Sequence, residues 1–280
     1  MSKTRLAILG LILIFSCKPA QTPGTVSTTA TTATVPPITT TVPVTTTNPL
    51  PPFKLDHYKF WKVQPQSDKP IGITVMLQGQ FDQKPWRAAV RMAEYIGNPV
   101  EKRVAGNKPN EIQNPRLHYV AYSIQADPQP PPPPIEVTNQ FGTHRPWRLS
   151  RPAWLLVPAD KKLDGKPEAP PRGDHFVCYA AEAQQPQIAV SLMDQFDRAM
   201  NKPEDVRDFQ AAFFCVPVTK QRPGKEPEPI LDKETHLAIY RISKTEFTKP
   251  IWTNDQFGVQ QLKVLYSEFL ALPSLKYVKK

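Results

Sequence analysis

One pattern occurs four times along the chain, and nothing else in the sequence constrains the fold as much. Each copy opens on a histidine ahead of an aromatic or aliphatic run, in Asp56-His57-Tyr58, Leu117-His118-Tyr119, Asp174-His175-Phe176 and Thr235-His236-Leu237. A polar residue or glycine followed by Gln-Phe comes next, in Gly79-Gln80-Phe81, Asn139-Gln140-Phe141, Asp194-Gln195-Phe196 and Asp255-Gln256-Phe257. Each copy closes on Pro-x-x-Lys: Pro99 to Lys102, Pro158 to Lys161, Pro217 to Lys220 and Pro273 to Lys276. The copies lie roughly 60 residues apart, the scale of one supersecondary unit that needs neighbours to bury its apolar face.

The apolar periodicity inside a unit is that of strands. Val75 and Leu77, Ile135 and Val137, Val190 and Leu192, and Ile251 with the weaker Thr253 alternate ahead of each Gln-Phe, so each such stretch is a half-buried strand. The closing runs 154–157, 213–216 and 269–272 are short, apolar and stopped by proline. The opening runs, such as 175–179, read the same way, which makes at least three strands per unit. Residues 86–96 carry helix formers at helical spacing. Their alignment through Lys84-Pro85-Trp86-Arg87 with Arg145-Pro146-Trp147-Arg148 makes them a strand instead. The proline run 128–134, inserted in the second unit, is a stiff polyproline II loop. The expected fold is all-β, with four units in two tandem sandwich-like or barrel-like domains, 53–165 and 173–280, joined near Leu163 to Gly173. A single closed assembly such as a four-bladed propeller is the alternative.

Two cysteines, Cys178 and Cys215, sit in the third unit, and an exported pair is expected to bridge. The same two positions in the other units hold Phe60 with Gly97, Ala121 with Leu156, and Ile239 with Ala271. A large residue faces a small one each time. Side chains that share one space keep their summed volume, so these positions are expected to touch in all four units.

No catalytic signature is present: no GxSxG, no HExxH, no phosphate-binding loop and no strand-coupled GxGxxG. Catalysis needs asymmetric groups in different roles, whereas the notable residues here are those that every unit repeats. The histidines His57, His118, His175 and His236 have no carboxylate that recurs beside all four, so they read as structural and not as a metal set. Phe81, Phe141, Phe196 and Phe257 are expected to fill core while the preceding Gln bonds turn backbone, and Pro99, Pro158, Pro217 and Pro273 end the closing strands. No enzyme activity, cofactor or metal is expected.

The chain begins with the charged Met-Ser-Lys-Thr-Arg and an apolar run from Leu6 to Phe15. As a helix that run spans about 15 Å, half of the roughly 30 Å hydrocarbon core, so it is a targeting segment and not a span. Ile14-Phe15-Ser16-Cys17 resembles the bacterial lipobox. The resemblance implies a signal peptide over 1–16, lipid on Cys17 and stable membrane attachment, and Lys18, in place of the usual retention Asp, implies the outer membrane. Residues 17–52 are dominated by Thr and Pro and form a solvated tether. The net charge of +10 is spread along the chain without basic clusters interleaved with aromatics, which disfavours nucleic acid. The frame of His-aromatic, Asp-Gln-Phe and Cys-x-Pro-x-x-Lys, fullest in the third unit, resembles an uncharacterised family of exported bacterial repeat domains. Together these features point to a cell-envelope lipoprotein that binds an envelope or extracellular protein or glycan, with an envelope structural or assembly role as the second reading and a hydrolase as the third.

Overall fold

The structure is a computed structural model that describes residues 55–67 and 69–278. Cys17, the leader 1–16 and the tether 17–52 lie outside the described residues.

The first unit contributes β1 (Tyr58–Pro65), β2 (Thr74–Gly79), β3 (Trp86–Pro99) and the short β4 (Glu101–Val104). The second contributes β5 (His118–Ala126), β6 (Ile135–Asn139) and β7 (Gly142–Lys162). The third holds β8 (His175–Glu182), β9 (Val190–Met193), a short helix α1 (Gln195–Met200), β10 (Glu204–Val206) and β11 (Gln210–Gln221). The fourth is β12 (His236–Arg241), β13 (Glu246–Asp255) and β14 (Gly258–Val278). Residues 86–96 are strand, as the alignment of units requires, and residues 127–134 carry no regular structure.

Each opening strand lies between two closing strands, and the antiparallel pairs run β1–β3, β3–β5, β5–β7, β7–β8, β8–β11, β11–β12, β12–β14 and back through β14–β1. The ring of pairs is closed. This corrects the expectation of two tandem domains. Leu163 to Gly173, expected to link two domains, lie in the connection from β7 to β8, and β7 and β8 are themselves paired within the ring. The physical reason is that a half ring would leave the edges of β1 and β7 unpaired, and closure removes both.

The assembly is not a plain barrel, and it is not a propeller of separate blades. Each unit sends an arm outward between its opening and closing strands. The arm pairs with the closing segment of the unit two places on: β2 with β11, β6 with β14, β9 with β4 and β13 with β7. The long strands serve ring and arm in turn, with irregular register at Val90/Ala93 and Ala93/Tyr95 in β3 and at Leu149/Pro152 and Pro152/Trp154 in β7. Such bulges bend a strand while keeping most of its ladder.

Period two then sorts the side chains. Inside the ring, Tyr58, Tyr119, Phe176 and Leu237 form one layer and Tyr95, Trp154, Phe213 and Phe269 another. Between them lie the four exchanged pairs. Each is a direct cross-strand partnership: Phe60 with Gly97, Ala121 with Leu156, Cys178 with Cys215 and Ile239 with Ala271. Cys178 and Cys215 are joined by a disulfide. The aromatic layer closes one end, with Trp154 and Phe213 rings 3.9 Å apart and Tyr95 and Phe269 5.2 Å apart. The ring is therefore filled by side chains, as small barrels are. Outside it the arms cover a larger apolar shell that includes Val75, Leu77, Ile135, Val137, Val190, Leu192 and Ile251, all buried.

Candidate functional site

The recurring residues meet at the four junctions between units. His57, His175 and His236 lie beside the Gln-Phe turn of the following unit, while His118 Nδ1 lies 2.9 Å from the Arg116 carbonyl oxygen. His57 Nε2 lies 3.1 Å from Gln140 Oε1, and His236 Nε2 lies 3.0 Å from Gln80 Oε1. The glutamine thus serves a neighbouring unit's histidine, where turn backbone was expected, because the arm brings the turn beside that histidine. The Lys of Pro-x-x-Lys reaches the same turn. Lys102 lies over Phe141, Lys161 over Phe196, Lys220 over Phe257 and Lys276 over Phe81, with Nζ 4.2 to 5.8 Å from the ring centre. The closing prolines Pro99, Pro158, Pro217 and Pro273 pair with the residue after the histidine of their own unit. Only Pro99 ends its strand, a correction to the expectation for all four, because β7, β11 and β14 continue past the proline to pair with the arms β13, β2 and β6.

A further recurring position completes the joint, and it is legible in the sequence once the joint is known. Four residues after each histidine stands an aromatic with a polar tip: Trp61, Tyr122, Tyr179 and Tyr240. Each packs edge-on or tilted against the Phe of the unit two places on: Trp61 with Phe196, Tyr122 with Phe257, Tyr179 with Phe81 and Tyr240 with Phe141. Three of the tips also bond the residue before Gln-Phe. Trp61 donates to Asp194 at 2.7 Å, Tyr122 donates to Asp255 at 2.5 Å, and Tyr240 accepts from Asn139 at 3.2 Å. In the same three turns the Oδ1 of that residue accepts the backbone N–H of the Phe. Every Gln-Phe turn is thereby gripped by two other units.

Burial sets the charge state of these joints. It holds the imidazole of His57 down to about 3, with Lys102 adding to the effect against Gln140, and that of His236 down to about 4, with Lys276 adding to it. His118 and His175 are lowered well below the ordinary range by the same causes, burial first and Lys161 or Lys220 next. The lysines respond in kind. Burial lowers Lys102 to about 8, and it lowers Lys161 to about 7 against the pull of Asp194. The joints are packed neutral imidazoles beside desolvated amines, and all four histidines are buried.

The third unit departs from the frame. Asp194 caps α1 through the backbone N–H groups of Phe196 and Asp197 in a capping box, which turns the Gln-Phe segment into a helical turn. Asp197 and Glu204 hold the fully buried Lys59 at 2.7 and 2.5 Å. Burial opposes the charge of Lys59, but Asp194, Glu204 and Asp197 outweigh it and hold the amine above its usual range. Burial, with Asp194 next, pushes Asp197 up to about 7. Lys161 donates to Asn98, and Asn98 to Asp194, so the network ties three units together.

One end of the ring is shut by the aromatic layer, while the histidine end opens to a cleft of about 240 Å3. The segments that lead into all four units line it: Leu55, then Asn114 and Leu117, then Arg172 to Asp174, then Leu231, Asp232 and Thr235. Asp56 and Asp174 fix this rim. Each carboxylate accepts two backbone N–H groups from the next segment, Gln113 and Asn114 for Asp56, Leu231 and Asp232 for Asp174. Beneath the rim, Tyr119 is buried, and its hydroxyl has no hydrogen-bond partner among the described residues. A second cleft beside it shares Arg172, Gly173 and Leu231 and runs over Pro170, His175 and Glu228.

The sequence profile of the family described as Repeat of unknown function (DUF7450) matches residues 119–273. The chain belongs to this family. The match runs from the first residue after His118 to the last closing proline, so it covers the second, third and fourth units. No curated protein and no solved structure matches the chain. Among the described residues no group of three or more His, Cys, Asp or Glu is placed to hold a metal ion, and no helix is long and apolar enough to cross a membrane.

Proposed function

We propose that this member of the repeat family is a cell-envelope lipoprotein, anchored through Cys17 and held off the outer membrane by the tether 17–52, that works as a non-enzymatic binding module. The observation that carries the reading is the division of labour between the two kinds of polar residue. Among those that recur, the four histidines and Lys102, Lys161 and Lys220 are buried in the joints between units, where no substrate reaches them. A second set of polar groups, Asn114, Arg172, Asp174 and Asp232, lies at one mouth, around a concave cleft to which all four units contribute. Concave, largely apolar sites with a few convergent polar groups are where proteins take ligands. A filled ring whose loops are pinned at the rim also offers that surface with little ordering left to lose on binding.

Crosslinking in intact cells tests this reading. Photoreactive residues placed at positions 114 and 231 are expected to capture an envelope or extracellular protein or glycan, while the same residue at the aromatic end, at position 244, captures nothing. Equal capture at both ends would overturn the reading, and so would turnover of a glycan or peptide by the purified protein.

A further inference from the structure

The cleft at the histidine mouth narrows the chemistry of what it takes. Its walls are apolar, made by Leu55, Leu117, Leu231 and Phe176. Its rim carries charge of both signs, with Arg172 beside Asp174 and Asp232, so neither an anion nor a cation meets a field of one sign. The carboxylate of Asp174 already accepts two backbone N–H groups and is not a ready acceptor for a ligand. At the base the Tyr119 hydroxyl is enclosed and unbonded among the described residues. A buried hydroxyl without a partner weakens a fold, so an oxygen brought to it by a ligand would gain a hydrogen bond that the protein alone does not make. Gly173 packs closely beside that hydroxyl, where a side chain does not fit without displacement. A Cβ at this glycine would come within 3.1 Å of Leu117 Cδ1, 3.2 Å of the Tyr119 hydroxyl and 3.3 Å of Pro158 Cγ.

The volume sets the scale. At roughly 30 Å3 per water the cleft of about 240 Å3 holds about eight waters, the bulk of one six-membered ring with its substituents. We infer that, within the binding role proposed above, the cleft takes one uncharged, hydroxyl-bearing ring of an envelope glycan, its C–H face against Leu117, Leu231 and Phe176 and one hydroxyl on Tyr119. A neutral sugar ring combines the two features that the cleft asks for, an apolar face and an oxygen able to accept from a phenol. A simple carboxylate or amine lacks the first and brings a charge that the mixed rim does not favour.

The test titrates the full chain, purified in detergent, with glucose, galactose, mannose, N-acetylglucosamine and their short oligomers, followed by calorimetry and saturation-transfer NMR. Acetate and methylammonium serve as the charged probes. At least one neutral sugar is expected to bind saturably. Tyr119→Phe is expected to weaken it about tenfold while melting no lower than the natural protein, as one lost hydrogen bond allows. Gly173→Val is expected to abolish it by filling the space beside the hydroxyl, and if that variant fails to fold, Tyr119→Phe decides alone. Saturable binding only of the charged probes overturns the inference, as does sugar binding that both variants leave unchanged. Sugars that fail to bind overturn it too. If crosslinking at positions 114 and 231 still captures a partner in that case, the binding role stands and only the ligand class falls. If capture is also lost, both fall.

Discussion

Gly97 is the position at which the packing of the ring makes its most exposed prediction. It sits in β3 directly across from Phe60, and a Cβ built on it would lie 2.8 Å from two carbons of the Phe60 ring. Phe60 is fully buried between the two aromatic layers, so it has no free direction in which to retreat. In an ordinary strand interior, exchanging Gly for Ala gains about 0.5 to 1 kcal/mol. Here overpacking costs about 1 to 3 kcal/mol and outweighs that gain, so Gly97→Ala is expected to destabilise by roughly 0.5 to 2 kcal/mol, and Gly97→Leu by more. Phe60→Ala alone opens a cavity and costs about 3 to 5 kcal/mol. In that background Gly97→Leu is expected to recover part of the loss, which gives the pair a favourable coupling energy in a double-mutant cycle measured by urea unfolding. Stabilisation by Gly97→Ala, or additive effects of the two changes, would refute the claim that the two residues divide one volume.

Four further outcomes are expected. Tyr119→Phe removes a buried, unbonded hydroxyl and should raise the unfolding free energy by about 1 kcal/mol, read by urea denaturation, with a loss of that size counting against an unsatisfied group. Replacing Cys178 and Cys215 together by Ala should cost about 4 kcal/mol, since the bridge spans 37 residues of separation, and peptide mapping without reductant should recover the linked pair. The imidazole of His57, lowered to about 3 by burial, stays neutral in the fold while the unfolded chain takes up a proton below 6.5. Its share of stability is therefore complete above that pH and lost as pH falls toward 3, so His57→Gln should flatten the stability curve between pH 6 and 4 by about 1.4 kcal/mol per unit. The mature protein should begin at Cys17 with acyl additions by intact mass, and Cys17→Ala should leave the membrane fraction; an unlipidated N-terminus elsewhere would remove the anchor.

Much of the local structure was legible in the sequence because it is written in periods. The alternation at Val75 and Leu77, Ile135 and Val137, and Val190 and Leu192 reports buried faces, and each of these residues is buried. The exchange of volume between Phe60/Gly97 and Ala121/Leu156 was legible because a cross-strand pair must fill a fixed gap whatever its identity. Closure was not legible. The pairing of β1 with β14 joins the two ends of the described chain, and no short-range pattern encodes such a contact. The reach of each arm to the unit two places on was hidden for the same reason, and with it the true partners of Gln80 and Gln140. The column of Trp61, Tyr122, Tyr179 and Tyr240 stood in plain view, but an aromatic at that spacing has no evident purpose until the arm that it grips is in place. The helix Gln195–Met200 arises from a local accident of the third unit, where Asp194 and Asp197 together make a capping box that the other turns lack. The cleft could not be read at all, because its walls come from four segments far apart in the chain.

Separation of the halves tests the interlocked ring most directly. Fragments 53–165 and 173–280 would each leave an opening strand and a closing strand without their ring partners, and each would lose both units that grip one of its Gln-Phe turns and one of the two that grip the other. Unfolding of each fragment as a monomer, followed by near-ultraviolet circular dichroism against urea, is expected to show no cooperative transition. An equimolar mixture is expected to recover one transition and the signal of the whole protein. A cooperative transition in either monomeric fragment alone would contradict the account.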